Sequence, residues 1–300
     1  MIHVAVVKGG LSSEREVSLV SGTGIANALR ELNYNVSEID MGRDVAVQLA
    51  NLKPDVVFNA LHGTYGEDGC LPGLLNIMNI PYTHSGVQAS AIAMDKLLTK
   101  RICEPLGIPF PAHEIRTKED ILNNNFMDVP CVIKPTNEGS SNGVFVLLEK
   151  SQRQLTKQQL DLSDTYMVEP YIPGIELTSA ILGDEALGVM EIQPNLGFYN
   201  FESKYAPGGS DHIFPARIVP EDLESIKELT LLMHRTLGCR GVSRADIRYD
   251  NTGSKGKFYF LELNTHPGMT PTSLVPDIAK HCKMSYHAIV DRLVKEARCD

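Results

Sequence analysis

Hydrophobic and polar positions in the first hundred residues follow two alternating patterns. The stretches Ile2–Val7, Val36–Asp40 and Asp55–Leu61 predict strands, and Val17–Leu32 has the spacing of an amphipathic helix. Glycine-rich turns follow the first and third stretches, as expected where a strand ends. Because strands that alternate with helices form parallel sheets covered on both faces, we expect an α/β domain here.

The pattern changes after this domain. Residues Ser85–Gly107 predict one long helix that begins at a serine cap. The polar stretch 151–164 predicts a surface helix, and Gly197–Ala216, which has little periodicity, predicts a long functional loop. Seven further stretches predict strands, namely Val129–Pro135, Gly143–Glu149, Tyr166–Ile172, Ile175–Leu182, Leu187–Pro194, Gly241–Asp250 and Lys257–Asn264. Residues 221–238 predict an amphipathic helix, and the end of the chain is predicted to be helical.

Composition and charge argue against some classes of binding partner and some cellular locations. The 300 residues carry a formal net charge of −9 and no long basic run, which argues against a nucleic-acid partner. The six cysteines are scattered without metal-ligand spacing, as expected for thiols in a reducing compartment. The first residues lack a signal-peptide pattern, and no apolar run approaches the roughly 18 residues of a membrane helix. We therefore expect a cytoplasmic protein without a membrane partner.

Two predicted strands near the end of the chain bring carboxylates together. Arg244 and Asp246 share one face of the first strand, because strand side chains alternate. Glu262 and Asn264 likewise share a face of the second. A hairpin symmetric about Ser254 places Asp246 opposite Glu262, where like charges repel. A divalent cation would remove the repulsion, and oxygen ligands favour Mg²⁺ or Mn²⁺. Two solvated strands with locally paired charges explain these residues equally well.

Other polar segments follow predicted strands. Val132–Gly143 joins a lysine to a loop of glycine and serine, which suits phosphate oxygens, although a plain hairpin turn is the simpler interpretation. Glu14 lies at the carboxyl end of the parallel sheet, where ligands bind, but an acidic residue there also favours the start of a helix. His62 directly follows a strand and precedes three glycines, and Asn264–Leu274 is rich in glycine and hydroxyl groups.

Taken together, these segments resemble the signature blocks of the D-alanine–D-alanine ligases. The blocks are GG-x-S-x-EREVSL, ALHG-x-x-GEDG, YT-x-SGV-x-AS-x-x-MDK, KP-x-x-EGSS-x-G, F-x-x-KY, R-x-D, LE-x-NT-x-PGMT and SLVP. They occur in the family's order from Gly9 to Pro276, which is nearly the whole chain. The resemblance implies an α/β, three-domain ATP-grasp fold that begins with a parallel-sheet domain.

The resemblance also implies three domains with separate tasks. Residues 1–94 would form the N-terminal substrate-binding domain, and residues 95–178 the central ATP-grasp subdomain. Residues 179–300 would form the C-terminal ATP-grasp subdomain, which carries the metal site and the lid loop. A homodimer is the expected assembly.

Individual residues receive roles from the resemblance. ATP would be bound by Lys96, Lys134, Glu138, Gly139, Ser140, Ser141, Glu169, Tyr171, Ile172 and Glu176. The metal ligands, for two Mg²⁺ or Mn²⁺ ions, would be Asp246, Glu262 and Asn264. The two D-alanines would be held by Glu14, His62, Lys204, Tyr205, Ser273 and Leu274. The catalytic set would be Glu14, Ser140, Tyr205, Arg244 and Gly268.

The implied reaction joins two D-alanines for peptidoglycan precursors. ATP converts one carboxylate to an acyl phosphate, which the amine of the second D-alanine attacks. Three positions depart from the family's pattern, namely Lys8, Pro170 and His266.

Other functions fit the sequence less well. The nearest alternative is another ATP-grasp carboxylate–amine ligase, including one that forms an ester to D-lactate. Tyr205 argues for the dipeptide over the ester. A non-catalytic nucleotide-binding protein is disfavoured because Arg244 and the metal ligands are all present. A dehydrogenase is disfavoured because G-x-G-x-x-G does not follow the first strand.

Overall fold

The computed structural model describes residues 1–139, 142–195, 209–270 and 273–300. Its amino-terminal part confirms the predicted parallel sheet, in which the strand order is β2-β1-β3. The strands are β1 (His3–Lys8), β2 (Asn35–Asp40) and β3 (Val56–Asn59). The accompanying helices are α1 (Arg15–Glu31), α2 (Val45–Leu52) and α3 (Cys70–Met78).

The central strand of this sheet is buried on both faces. Val4 and Val6 of β1 pack with Ile25 of α1, whereas Val7 on the opposite face packs with Leu49 of α2. All five side chains are fully buried. A strand covered on both sides reads as a continuous apolar run, which is why the sequence predicts it so directly.

The chain leaves the sheet through two helices, so the single helix predicted over Ser85–Gly107 is wrong. The helices are α4 (Val87–Met94) and α5 (Lys96–Cys103). Asp95 between them adopts an extended conformation, and its carboxylate accepts hydrogen bonds from the N–H groups of Leu97 and Leu98 at 2.9 and 3.0 Å. Asp95 therefore ends one helix and caps the next. As a result, Lys96 lies in the first turn of α5.

A four-stranded antiparallel sheet follows, with the strand order β4-β7-β5-β6. Its elements are β4 (Glu114–Thr117), α6 (Lys118–Leu122), β5 (Cys131–Pro135), β6 (Phe145–Leu147) and β7 (Thr165–Pro170). The surface helix predicted over 151–164 is wrong, since only a short 3₁₀ turn at Lys150–Arg153 forms. The backbone N–H of Thr156 instead bonds the side chain of Gln159, and such local bonds compete with a helix.

The last part of the chain builds a five-stranded antiparallel sheet in the order β10-β9-β8-β11-β12. The strands are β8 (Ile175–Leu182), β9 (Glu185–Pro194), β10 (Ser210–Ile213), β11 (Val242–Asp250) and β12 (Lys257–Asn264). The helices are α7 (Pro220–Thr236), α8 (Leu274–His281) and α9 (Tyr286–Lys295). Leu293 and Val294 of α9 share one core with Ile25 and Leu29 of α1, which joins the two ends of the chain.

The predicted three-domain division remains a prediction, but its boundaries can be located. The boundary between residues 94 and 95 falls at the break between α4 and α5. The boundary between 178 and 179 falls inside β8, which belongs throughout to the five-stranded sheet. No helix in the described part of the chain is long and apolar enough to cross a membrane.

One buried histidine makes stability depend on pH. His234 of α7 is buried, its Nδ1 lies 2.7 Å from Ser243 Oγ, and burial lowers its pKa to about 4. The unfolded chain binds a proton at this histidine near its ordinary pKa of about 6.5, whereas the folded chain does not. The free energy of unfolding should therefore fall as pH decreases below that value, by about 2 kcal/mol at a pH of about 5.

We expect His234→Gln to remove about 2 kcal/mol of the stability that the protein loses between a pH of about 7 and a pH of about 5. Urea unfolding at the two pH values measures this loss. The control is His281→Gln, because His281 is 44% exposed in its side chain. An unchanged pH dependence in the His234 variant would contradict the account.

Candidate active site

A cleft of about 530 Å³ lies between the four-stranded sheet and the hairpin of β11 and β12. Its apolar lining includes Val132, Val144, Val146, Tyr171, Ile172 and Leu261. Its charged lining includes Lys96, Lys134, Glu138, Glu169, Glu176, Asp246, Arg248 and Glu262. A smaller cavity adjoins it at Glu262 and is lined by Glu14, His62, Glu67, Gly139, Arg244, Asn264, His266, Pro267 and Gly268. The arrangement is a two-part site, with an apolar slot at one end and a small polar cavity at the other.

The hairpin has the register that strand alternation predicts. Asp246 lies opposite Glu262, and Arg244 lies opposite Asn264. A bulge follows Asp246 and shifts the rest of the ladder by one residue. The prediction is therefore confirmed where it concerns the candidate metal ligands.

These hairpin side chains converge on one point of the cleft. Asn264 Nδ2 lies 3.5 Å from Asp246 Oδ2 and 3.4 Å from Glu262 Oε1. Arg244 donates two hydrogen bonds to the Asp246 carboxylate, at 2.8 and 2.7 Å. Lys96 Nζ lies 3.0 Å from Glu262 Oε2. Each carboxylate is therefore paired with a cation, and the amide of Asn264 lies between them.

Lys96 also reaches the glycine-rich loop. Its ammonium donates to the carbonyl of Glu138 at 2.6 Å, and its backbone N–H donates to the carbonyl of Thr136. These bonds place the start of α5 against the end of β5 and the loop that follows it. Glu138 and Gly139 consequently lie at the junction of the two cavities.

Three buried charged residues form a cluster at the back of the cleft. Glu169 Oε2 lies 2.6 Å from the ammonium of Lys134, and Glu169 Oε1 lies 2.6 Å from the ammonium of Lys100. Burial by itself would raise the pKa of the Glu169 carboxyl, but the two lysines outweigh burial and lower it. Glu169 therefore stays ionised between two cations.

The opposite end of the slot is shaped by Arg248. Its guanidinium donates to the carbonyls of Ile172 and Gly174 at 3.1 and 3.0 Å, and it lies 3.4 Å from Glu176 Oε2. It also stands over the ring of Tyr171 at 5.7 Å from the centroid. Arg248 thus fixes the segment that connects β7 to β8.

The small polar cavity brings the parallel sheet to the glycine-rich loop. A Cβ on Gly63 would lie 2.7 Å from Glu14 Oε2, and a Cβ on Gly139 would lie 3.2 Å from the same oxygen. The Glu14 carboxylate therefore lies between two glycines from distant parts of the chain. Gly63 also has a φ of +70°, which side chains other than glycine rarely adopt.

His62 is buried beside a second carboxylate. Its Nδ1 lies 3.3 Å from Glu67 Oε1, and its Nε2 lies 3.1 Å from Ser21 Oγ. Burial opposes the charged imidazole, but the hydrogen bond and charge of Glu67 outweigh it and raise the pKa of His62. For Glu67, burial is the largest influence and raises the pKa. The pair can hold a proton at the edge of the polar cavity.

Gly268 closes the far wall of this cavity. A Cβ at Gly268 would lie 2.9 Å from Ser273 Oγ, so the two residues are in close contact. The Ser273 hydroxyl is bonded to Thr270, at 3.0 Å from its backbone N and 2.7 Å from its Oγ1. Leu274 is buried in the hydrophobic core at the start of α8. Of the predicted site residues, Ser140, Ser141, Lys204 and Tyr205 lie outside the described residues.

The departures from the family pattern have separate environments. Lys8 pairs with Glu38 at the surface, and Pro170 lines the cleft at the end of β7. His266 is buried, stacks on His84 with ring centroids 4.6 Å apart and bonds Asn59 at 3.0 Å. It joins the segment after β12 to the parallel sheet.

The sequence interpretation does not identify two charged residues, Arg248 in the cleft and Lys100 behind it. Arg248 shares its strand face with Arg244 and Asp246, so alternation along β11 could have identified it. Lys100 lies one turn after Lys96 on α5, a spacing that equally suits a solvated lysine. Only its contacts with Pro111 and Glu169 in the folded chain show that Lys100 is buried.

A nucleotide-sized cleft between two antiparallel sheets, lined by two lysines on one side and two carboxylates on the other, defines the ATP-grasp class. Models of the D-ala D-ala ligase N-terminus and C-terminus match residues 45–85 and 102–295. The chain belongs to the D-alanine–D-alanine ligase family.

Individual relatives agree with this assignment. The chain is 52% identical to a D-alanine–D-alanine ligase of Parvibaculum lavamentivorans, over 99% of this chain and 98% of the relative. It is 49% identical to one of Azorhizobium caulinodans, over 99% of each chain. A crystal structure of the Bacillus anthracis D-alanine–D-alanine ligase complexed with ATP is similar, with a TM-score of 0.82 and 27% identity over 98% of this chain and 97% of that chain.

Proposed function

We propose that this protein ligates two D-alanines to D-alanyl-D-alanine with hydrolysis of ATP to ADP and phosphate. The observation that carries the proposal is the joined pair of cavities, in which a nucleotide slot and a small amino-acid-sized cavity meet at Glu262. The dipeptide would serve peptidoglycan precursors, as the family assignment implies.

ATP fits the larger cleft by its chemistry. The apolar slot between Val132, Val146 and Leu261 suits a flat adenine ring, with Glu169, Tyr171 and Ile172 at its edge. Glu176, held by Arg248, suits the ribose hydroxyls. Lys96 and Lys134 suit the phosphate oxygens, which the backbone of Glu138 and Gly139 would help to cradle. Ser140 and Ser141 complete the proposed loop.

The hairpin fits one or two Mg²⁺ or Mn²⁺ ions. The carboxylates of Asp246 and Glu262 both lie within 3.5 Å of the side-chain amide nitrogen of Asn264, so the three residues can offer oxygen ligands to one point. Hard divalent cations prefer such donors, and one or two carboxylates together with substrate phosphates commonly complete a magnesium site. When bound, the cation would neutralise charge on the phosphate oxygens.

The small cavity fits the first D-alanine. Glu14 would pair with the ammonium group, with His62 and Glu67 beside it. The second D-alanine would be held by Ser273, Leu274, Lys204 and Tyr205. The ammonium and carboxylate groups of both amino acids would be buried, so each needs a partner of opposite charge or a hydrogen bond. These residues would provide those partners.

The protein's own groups then act in sequence. Arg244 and the backbone of Gly268 would stabilise the charge that develops on the transferred phosphoryl group and on the tetrahedral oxyanion. The amine of the second D-alanine attacks the acyl carbon, and phosphate leaves. Closure of the lid loop Gly197–Ala216 over the site, with Ser140 and Tyr205 meeting Glu14, would exclude water from the acyl phosphate.

The first prediction concerns the reaction itself. We expect phosphate release from ATP to depend on D-alanine and to yield ADP and D-alanyl-D-alanine in equal amounts. Chromatography of products with D-alanine, L-alanine or D-alanine plus D-lactate tests this. AMP and pyrophosphate as products, or phosphate without dipeptide, would refute the proposed reaction. Preferential depsipeptide formation would favour the ester-forming alternative.

The second prediction concerns the hairpin carboxylates. We expect Glu262→Gln to weaken Mn²⁺ binding on the order of tenfold or more, because one charged oxygen ligand is lost. Turnover should nearly disappear while the fold remains intact. Titration of Mn²⁺ by electron paramagnetic resonance measures binding, and circular dichroism checks the fold.

The matched control is Glu224→Gln, whose carboxylate is 66% exposed on α7. It should leave both Mn²⁺ affinity and turnover unchanged. Equal Mn²⁺ affinity in the Glu262 variant and the control would remove this carboxylate from the metal site.

A further inference from the structure

The buried lysine behind the nucleotide cleft has no place in the proposed reaction. Lys100 Nζ donates to the carbonyl of Pro111 and to Glu169 Oε1, both at 2.6 Å. Its side chain is 1% exposed, so no solvent compensates its charge. It is not among the residues that line the cleft. Burying an ammonium group costs free energy unless the charge is paired and hydrogen-bonded, so a buried lysine needs strong local partners.

Glu169 divides its two oxygens between two lysines. Oε1 faces Lys100 and Oε2 faces Lys134, each at 2.6 Å. Of the three residues, Lys134 and Glu169 line the cleft and Lys100 lies behind them. Two ammonium groups and one carboxylate leave a net charge of +1 on this triad. Without Lys100, Glu169 would cancel the charge of Lys134.

The backbone explains how Lys100 reaches this position. Asp95 caps α5, which places Lys96 in the first turn and Lys100 one turn later on the same helix face. Lys96, Thr99, Lys100 and Cys103 form the buried face of α5. The Lys100 ammonium also lies 5.8 Å from the centre of the Phe110 ring, a position that suits a cation.

We propose that Lys100 is a positioning residue for the nucleotide, which engages one oxygen of Glu169 so that Lys134 keeps its positive charge available to the phosphates. This inference rests on the proposed ATP site. Lys100 touches no substrate in it and acts through Glu169. Burial lowers the pKa of Lys100, and the Glu169 carboxylate opposes that shift.

Nucleotide binding tests the proposal without reference to turnover. In calorimetric titrations with ADP and Mg²⁺, Lys100→Gln should weaken ADP binding about tenfold, because the triad becomes neutral. Lys100→Arg keeps the charge and should stay within about threefold of the unaltered protein. Arg101→Gln is the matched control, since Arg101 is exposed on the same helix and lies outside the triad. In steady-state assays, the KM for ATP should rise and the KM for D-alanine should stay constant.

A double variant separates charge from packing. Lys100→Gln with Glu169→Gln removes one charge of each sign, so the triad returns to +1 and both altered residues keep hydrogen-bonding groups. Because Glu169 itself borders the proposed adenine slot, the reference is Glu169→Gln alone. In that background Lys100→Gln should change ADP affinity by less than about threefold, against about tenfold in the unaltered protein. The double variant buries no unpaired charge, so it remains informative if Lys100→Gln alone does not fold.

The outcomes are distinct. ADP affinity of Lys100→Gln within about twofold of the unaltered protein, with only a lowered melting temperature, would show a purely structural lysine and overturn the proposal. If Lys100→Gln weakened ADP binding as much in the Glu169→Gln background as in the unaltered protein, Lys100 would not act through Glu169, and the proposal would also be overturned. If the unaltered protein bound no ADP, the proposed ATP site itself would fail.

Discussion

Repulsion between two facing carboxylates is the constraint on which this site depends. Asp246 and Glu262 lie opposite each other on neighbouring strands, a pairing that destabilises a sheet unless opposite charge is supplied. Arg244 supplies it on one side and Lys96 on the other. Lys96 in turn bonds the glycine-rich loop. The charges of the hairpin thereby hold the five-stranded sheet, the start of α5 and the loop after β5 around one point.

Other acidic residues of the cleft are paired with cations in the same way. Glu169 is held between Lys100 and Lys134, and Glu176 is held by Arg248. Glu169, Glu176, Asp246 and Glu262, four of the acidic residues that line the cleft, therefore each have a cation within 4 Å. A polyphosphate entering such a site exchanges one set of ion pairs for another, and the protein has little reorganisation to make.

Much of the fold and of the candidate site could be predicted from the amino-acid sequence, and the reason differs from one element to the next. The hairpin register followed from strand alternation and a short connection, both of which are local. The break at Asp95 was missed because an aspartate suits the polar face of a helix as well as a cap. The burial of Lys100 was missed because it depends on contacts with Pro111 and Glu169, which lie 11 and 69 residues further along the chain. The stack of His266 on His84 joins segments about 180 residues apart, which no local pattern reveals.

The separation of hydrophobic cores has a consequence for local unfolding. The four-stranded sheet buries its own core, which includes Ile121, Phe126, Ile133, Tyr166 and Val168. The parallel sheet and the five-stranded sheet instead share one core through α1 and α9. Cooperative units of hydrogen exchange follow such boundaries, so the four-stranded sheet should exchange its amides as one unit. A ligand that contacts both sides of the cleft would couple the unfolding of the four-stranded sheet to that of the other two sheets, and would slow amide exchange in it. The protection of these amides would therefore report how much of the protein has ligand bound in the cleft.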